Sequence, residues 1–378
     1  MNYRARAARE LDAMGAFRSP WLRPAFDAVD REMFAPAQFW TLATDEKGLH
    51  PVIDRSADFD AWQAGVWDTH NSLITQMDDG RTPADGPARG DYTSSISALD
   101  IAFEKLNQLD VEPEHRVLEI GTASGYHTAL LAERVGAAQV TTIEIDPALS
   151  AWGADNLGKA GYAPYVVRGD GLAGHPESAP FDRIINTASL RRIPAAWRRQ
   201  TTDGGIILTP FNTLYANGGL LKLRVHDGIA SGPFVGSASY MWARSERPRE
   251  PARNPDTYAL TSSPIDPAQV LDGTWAQDFA IGLHVPHIAI DRQRDDDSTR
   301  RAQIRDDTGA SVTVVRYTDW WEDGAVTVWG ERDLWAEVVT AYTAWRTASQ
   351  PHVTRYGLTV SDEGQQVWLD KPDHVLRR

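Results

Sequence analysis

The chain has 378 residues, 42% of them hydrophobic and 24% charged, and a formal net charge of −14. That length exceeds what one core usually organises, so two domains are expected, and the acidic balance argues against nucleic acid, whose backbone is held by Lys and Arg. Cysteine is absent, which excludes disulfides and thiolate metal sites and makes a reducing cytoplasm the expected compartment; neither a secretory h-region nor an apolar run of roughly 18 residues predicts targeting or a membrane span.

Residues 4–14 and 20–29 read as two short helices. Ser19-Pro20 serves as cap and first-turn pair of the second, and Trp21, Leu22, Phe26 and Val29 recur on a core-facing stripe. Residues 35–92 are irregular, with turns at Asp78-Asp79-Gly80 and Arg81-Thr82-Pro83, and long ordered loops are more often functional than idle. From 98 onward helices (98–109, 126–135, 147–160) alternate with strands (116–120, 139–145, 164–168, 182–187, 204–209). Such alternation predicts a parallel sheet covered on both faces, an α/β, Rossmann-like fold, with 220–225 and 234–238 as closing antiparallel strands.

The charged, proline-containing stretch 244–251 reads as a linker, dividing the chain into domains 1–240 and 241–378. The second carries strand-like runs at 279–289, 311–316 and 325–329, a helix at 331–347, and a hairpin joining 354–360 to 366–369. That makes it a smaller α+β domain, with the charge run 291–301 as an exposed loop. Trp320, Trp321 and Trp329 are expected in its core, a peptide-binding surface being the alternative.

Val117-Leu118-Glu119-Ile120-Gly121-Thr122-Ala123-Ser124-Gly125-Tyr126 is an apolar strand running into a Gly-rich turn that opens a helix. Gly121 permits the tight turn and close backbone approach to a ligand. The spacing E-x-G-x-x-x-G differs from the dinucleotide G-x-G-x-x-G that seats a pyrophosphate. It suits S-adenosyl-L-methionine, which has no phosphate and whose amino-acid end and sulfonium need a neutral-to-acidic cradle; Glu119 at the strand end fits that need. Nineteen residues past Gly125, Glu144 ends the second strand with Ile145 beside it, where a carboxylate can accept both ribose hydroxyls. Gly169-Asp170-Gly171 ends the third strand and brings Asp170 to the adenine amino group. The alternative is that all three are plain tight turns. No His or carboxylate cluster has metal-ligand spacing, so no metal is expected.

These residues resemble the protein-L-isoaspartate O-methyltransferase family. The likeness runs from Arg116 through Tyr126, then Gly169-Asp170-Gly171, Ala179-Pro180-Phe181-Asp182-Arg183-Ile184-Ile185, Ile193-Pro194 and Gly204-Gly205-Ile206-Ile207. Arg31-Glu32-Met33-Phe34-Ala35-Pro36 resembles the family's N-terminal segment. The resemblance implies a class I methyltransferase fold over about the first 235 residues and a place for Tyr126 near the cofactor carboxylate. It also implies that Ser97, with neighbouring Ser94 and Ser95, orients the accepting carboxylate. The family's Thr-Ile-Ser-Gln-Pro is here Ser95-Ile96-Ser97-Ala98-Leu99, without Gln and Pro. The three serines could instead cap the helix from 98.

The C-terminal extension is a second departure, since the repair enzymes usually stop near the end of the Rossmann domain. Its ending, Arg355-Tyr356-Gly357-Leu358-Thr359-Val360 and Gln366-Val367-Trp368-Leu369-Asp370, resembles an actinobacterial subgroup from lanthipeptide, lasso-peptide and graspetide pathways. That likeness implies methylation of an Asp in an already cyclised precursor peptide, the ester then closing to an aspartimide. The attacking carboxylate is ionised near neutrality, so alignment and desolvation rather than a general base carry the reaction, and orientation alone can supply roughly 7–11 kcal/mol. General isoaspartyl repair is the main alternative; an S-adenosylmethionine sensor and a small-molecule methyltransferase are others. His127 is expected to pack or face the cofactor, and residues 75–80 to line the substrate cleft or form a surface turn. The oligomeric state is open.

Overall fold

A computed structural model of the chain describes residues 2–248, 257–294 and 299–376. Two compact units share it: Met1–Ala188, Pro194–Thr209 and Lys222–Ala230 form the first, and Ser189–Ile193, Pro210–Leu221 and Ser231–Arg378 the second.

The first unit begins with helices α1 (Tyr3–Ala13) and α2 (Leu22–Ala28). Leu22, Phe26 and Val29 are buried as the spacing predicts. The expected cap is corrected: Trp21 occupies that position without a side-chain bond, while Ser19 only lends its carbonyl to Leu22 N–H at 3.0 Å.

The stretch taken as irregular is an ordered layer. Strands β1 (Gln38–Trp40) and β2 (Val52–Asp54), helix α3 (Phe59–Val66), and strands β3 (Leu73–Met77) and β4 (Tyr92–Ile96) build a sheet ordered β2-β1-β3-β4. Trp40, Ile74 and Met77 form its packed face, with Val52 and Tyr92 against them. Burying such large apolar side chains contributes roughly 1.5–3 kcal/mol each.

Helix α4 (Leu99–Gln108), strand β5 (Val117–Ile120), helix α5 (Tyr126–Val135), strand β6 (Val140–Glu144), helix α6 (Pro147–Lys159) and strands β7 (Tyr165–Arg168) and β8 (Phe181–Asn186) follow. Helix α7 (Ala195–Arg199) and strand β9 (Thr201–Phe211) complete the alternation. Strands β9-β8-β5-β6-β7 lie side by side and all four pairings are parallel. Every residue of β5 and β6 is buried, as expected where helices cover both faces. Strands β10 (Gly219–His226) and β11 (Ile229–Ser237) come next; β9, β10 and β11 each contribute residues to both units.

The second unit holds an antiparallel sheet ordered β12-β16-β15-β14-β13, made of β12 (Tyr258–Thr261), β13 (Ile288–Arg294), β14 (Arg300–Asp306), β15 (Val312–Arg316) and β16 (Val326–Trp329). Helices α8 (Pro267–Leu271), α9 (Trp275–His284) and α10 (Leu334–Thr347) and the hairpin β17 (Tyr356–Ser361)–β18 (Gly364–Leu369) accompany it. Three expectations are corrected here. The apolar run from 279 is the inner side of α9, started by Thr274, whose hydroxyl accepts Gln277 N–H at 3.3 Å; the strand begins only at Ile288. The charge run is largely strand, with 295–298 outside the described residues, because β13 is an edge strand and charged side chains suit such an edge. Trp321 is 60% exposed and Trp320 and Trp329 are half-buried; Trp335, Trp345 and Trp368 fill the interior instead. Of the expected linker, residues 249–251 lie outside the described residues.

Candidate active site

Strand order reverses at β5: the chain steps outward to β6 and β7, then returns to place β8 on the other flank. Open α/β sheets bind ligands at the carboxyl ends of the strands meeting at such a reversal. Gly121 follows β5 there with φ +94°. A Cβ on it would lie 2.1 Å from Thr187 Oγ1, and that hydroxyl donates to the Ile120 and Gly121 carbonyls at 2.9 and 3.1 Å. Only glycine fits. Ala123 (φ +44°) and Gly125 (φ +86°) complete a left-handed turn whose amides are held within the protein, Gly121 N–H by the Ile143 carbonyl and Gly125 N–H by the Thr122 carbonyl, both at 2.8 Å.

Glu144, at the end of β6, fastens this turn. One carboxylate oxygen accepts Ala123 N–H at 3.0 Å and the other accepts Asp146 N–H at 3.0 Å. Ile145 beside it is 38% exposed, an apolar face at the strand end. Thr122 and Ser124 are buried and internal to the turn: Thr122 Oγ1 meets Thr142 Oγ1 at 2.7 Å, and the Ser124 carbonyl accepts from Asn156 at 3.0 Å.

Gly169 N–H donates to the Glu144 carbonyl at 2.9 Å. Asp170 is exposed and accepts Leu172 N–H at 3.0 Å, while a Cβ on Gly171 would meet Ile120 Cγ2 at 2.4 Å. The ends of β5, β6 and β7 are thus brought together.

Glu119 departs from its expected role. Its carboxylate is fully buried and committed to three donors: His127 Nδ1 at 2.6 Å, Thr142 Oγ1 at 2.8 Å and the hydroxyl of Thr128. It clamps β5, β6 and α5 from within instead of facing a ligand, because its side chain points into the helix-covered layer. His127 is accordingly a packing partner.

Ser94, Ser95 and Ser97 sit on or just after β4. Ser94 is buried and accepts from Thr75 at 2.9 Å, whereas Ser95 and Ser97 are half-buried with hydroxyls uncommitted among the described residues. None caps α4: Ala98 holds that position without a side-chain bond and donates its N–H to Ser72 at 3.2 Å. Ser97 is held through its backbone. Arg31, fully buried, donates from Nη2 to the Ser97 carbonyl at 2.9 Å and from Nε to the Val66 carbonyl at 2.8 Å, and its guanidinium stands 4.9 Å from the centre of the Tyr126 ring. Tyr126 is buried under Arg31 and Phe34, so it supports the turn from below.

Two residues escaped the sequence reading. Arg31 was visible only as part of a segment, without its role. Lys105 is fully buried, donating to the Asn186 carbonyl at 2.7 Å, and burial pushes its pKa down to about 7 against the pull of Glu119. The signal was present: Lys105 interrupts the apolar stripe Leu99, Ala102, Phe103, Leu106.

The residues suit S-adenosylmethionine. The turn, free of side-chain bulk at Gly121 and Gly125, lets a ligand approach the backbone, and the strand ends carry Glu144 and Asp170, with no Lys or Arg among Gly121–Tyr126, Glu144 or Gly169–Gly171 to neutralise a phosphate. Fold and site together define a class I, S-adenosylmethionine-dependent methyltransferase.

A family model described as Protein-L-isoaspartate(D-aspartate) O-methyltransferase matches residues 71–229. The protein-L-isoaspartate O-methyltransferase of Methanococcus maripaludis is 37% identical over 166 residues, covering 41% of this chain and 78% of that protein. That of Methanococcus vannielii is 41% identical over 131 residues, 34% of this chain and 63% of its own length. The chain belongs to the protein-L-isoaspartate O-methyltransferase family, whose members are S-adenosylmethionine-dependent protein carboxyl O-methyltransferases. A solved chain titled protein-L-isoaspartate O-methyltransferase shares the fold with TM-score 0.55 and 16% identity, over 97% of this chain and 100% of its own.

Among the described residues no helix is long and apolar enough to cross a membrane.

Proposed function

We propose that the chain transfers a methyl group to the free carboxylate of an isoaspartyl residue in a peptide or protein, with Ser97 seating the acceptor. One observation carries this. Buried Arg31 holds the Ser97 carbonyl while its guanidinium covers Tyr126, the first residue of the helix that leaves the Gly121–Gly125 turn. The acceptor serine and the cofactor turn thus share one rigid support, and alignment is what a reaction of an already ionised carboxylate needs. Bound S-adenosylmethionine supplies an electrophilic methyl. Ser97 then offers a hydroxyl donor to the carboxylate, Gly121–Gly125 hold the amino-acid end, Glu144 takes the ribose, and Ile145 and Asp170 flank the adenine. The names of the curated relatives favour the isoaspartyl substrate.

A second reading has its own support. Where the family carries an amide side chain after the serine, this chain has Ala98, 4% exposed, which leaves the acceptor seat with one polar group fewer. That suits an ordinary Asp in a modified, cyclised precursor peptide, whose ester would close to an aspartimide as the next backbone nitrogen displaces methanol.

Matched peptides separate the two. Each peptide pair carries isoaspartate or aspartate at one position, linear or cyclised, and mass spectrometry follows methyl-ester formation. Ester on the isoaspartyl member is the expected result. Ester confined to the cyclised aspartyl member would replace it with the second reading, and no ester on any peptide would sink both.

A further inference from the structure

The segment after α3 holds a side chain that the reaction does not directly need. Gln76, on β3, is 9% exposed and uses both ends of its amide. Its oxygen accepts the Thr93 hydroxyl at 2.8 Å, and its nitrogen donates to Asp146 Oδ2 at 3.2 Å. Thr93 precedes Ser94 and Ser95 on β4, the strand that leads into Ser97. Asp146 caps α6 by accepting the N–H groups of Ala148 and Leu149 at 2.8 and 3.1 Å, and donates its own N–H to Glu144. Glu144 in turn holds Ala123 N–H in the glycine turn. A directional bond chain therefore runs Thr93–Gln76–Asp146–Glu144–Ala123.

The amide is clamped from a third side. Directly after β3 the backbone enters the left-handed region at Asp78, Asp79 and Gly80, with φ of +50°, +56° and +84°. This turn folds back so that a Cβ on Gly80 would lie 3.2 Å from Gln76 Nε2, and Asp79 N–H donates to the Thr93 hydroxyl at 3.0 Å. Two successive non-glycine residues at positive φ persist only where the surroundings over-determine them. An amide this buried cannot exchange a partner for water without leaving a polar group unsatisfied.

We infer that Gln76 is a positioning residue that links occupancy of the S-adenosylmethionine site to the order of the strand leading to the acceptor serine. The inference rests on Glu144 as the ribose carboxylate and Ser97 as the acceptor seat. A ligand that fixes Glu144 also fixes Asp146, and through Gln76 it fixes β3 and β4; by linkage, order at β4 favours the ligand equally.

Hydrogen exchange on the full chain, with and without S-adenosylhomocysteine, tests this without any peptide or turnover. In the unmodified chain the ligand slows exchange in 121–126 and 144–149 and also in 73–77 and 92–97. Gln76→Leu keeps the protection at the first two segments and lowers the gain in the last two by at least about threefold. Thr93→Val cuts the neighbouring joint and gives the same pattern, which covers the case in which the first variant does not fold. Full protection of 73–77 and 92–97 in a folded variant overturns the inference, as does its lack in the unmodified chain when calorimetry shows the ligand bound. If calorimetry shows no binding to the unmodified chain, the cofactor site itself fails and the inference falls with it; if the ligand binds but no peptide is esterified, only the proposed reaction fails.

Discussion

Arg31 Nη2 lies 2.9 Å from the carbonyl oxygen of Ser97, so a cation with no solvent exposure fixes the backbone of the residue proposed to seat the acceptor. A second donor from the same guanidinium reaches Val66 at 2.8 Å. Lysine cannot span both carbonyls, since it lacks the planar fork. Arg31→Lys should lower kcat/KM for peptide by on the order of tenfold or more, and cost about 1–3 kcal/mol of stability from an unsatisfied carbonyl. S-adenosylhomocysteine affinity should hold. Steady-state kinetics and calorimetry on one preparation check this, and an equal loss in both would assign Arg31 a general structural role.

Ser97→Ala removes the hydroxyl and leaves the Arg31 contact intact, because that contact is to the backbone. A hydrogen bond to a charged partner contributes about 1.5–3 kcal/mol, which corresponds to roughly a 10- to 150-fold drop in turnover of peptide. Affinity for S-adenosylhomocysteine should be nearly unchanged. The same substitution at Ser94 should act mainly on folding, since its hydroxyl is spent on Thr75.

Gly121→Ala places a methyl group 2.1 Å from Thr187 Oγ1 on a backbone at φ +94°. The strained conformation alone costs about 1–3 kcal/mol, and relief requires the turn to move away from Thr187. Calorimetric binding of S-adenosylhomocysteine should weaken about 100-fold or vanish while the circular dichroism spectrum keeps its native shape. Binding at native strength would show that the turn does not contact the cofactor.

Lys105 makes a prediction about pH. Its pKa falls from 10.5 to about 7 on folding, chiefly through burial. Below pH 10.5 the unfolded chain therefore binds a proton that the folded chain refuses until pH about 7. The Lys105 contribution should rise with pH across that window, by up to roughly 1.4 kcal/mol per pH unit, and stay constant above and below it. Lys105→Met should flatten that part of the profile relative to the unmodified chain. Urea unfolding at pH 7, 8 and 9 reads the difference, and parallel profiles for the two proteins would show that Lys105 is not buried as a neutral amine.

The catalytic layer was largely legible because its signals are local. Buried parallel strands read as short apolar runs, and the turn after β5 needs glycine where the backbone bends back. The layer carrying β1 to β4 was not legible: β1 and β2 have three residues each, too few for a period to register, and the pairing that joins them to the rest of the sheet, Trp40 with Ile74, spans helix α3. Helix α9 was misread because an unbroken apolar run does not distinguish a buried helix from a buried strand. Glu119 shows the limit at the level of the site. Its type and position suggested a ligand contact, but which way a side chain points depends on Thr128, Thr142 and His127, brought near only by folding.

Ala123 stands at φ +44° in a position where glycine would be the easier residue. The methyl group removes conformations that glycine would allow the empty turn, so the amide that meets Glu144 is set before any ligand arrives. A turn fixed in this way would give up little chain freedom to the amino-acid end of the cofactor it is proposed to hold. Glycine there would widen the choices open to the backbone and weaken the hold that Glu144 has on residue 123.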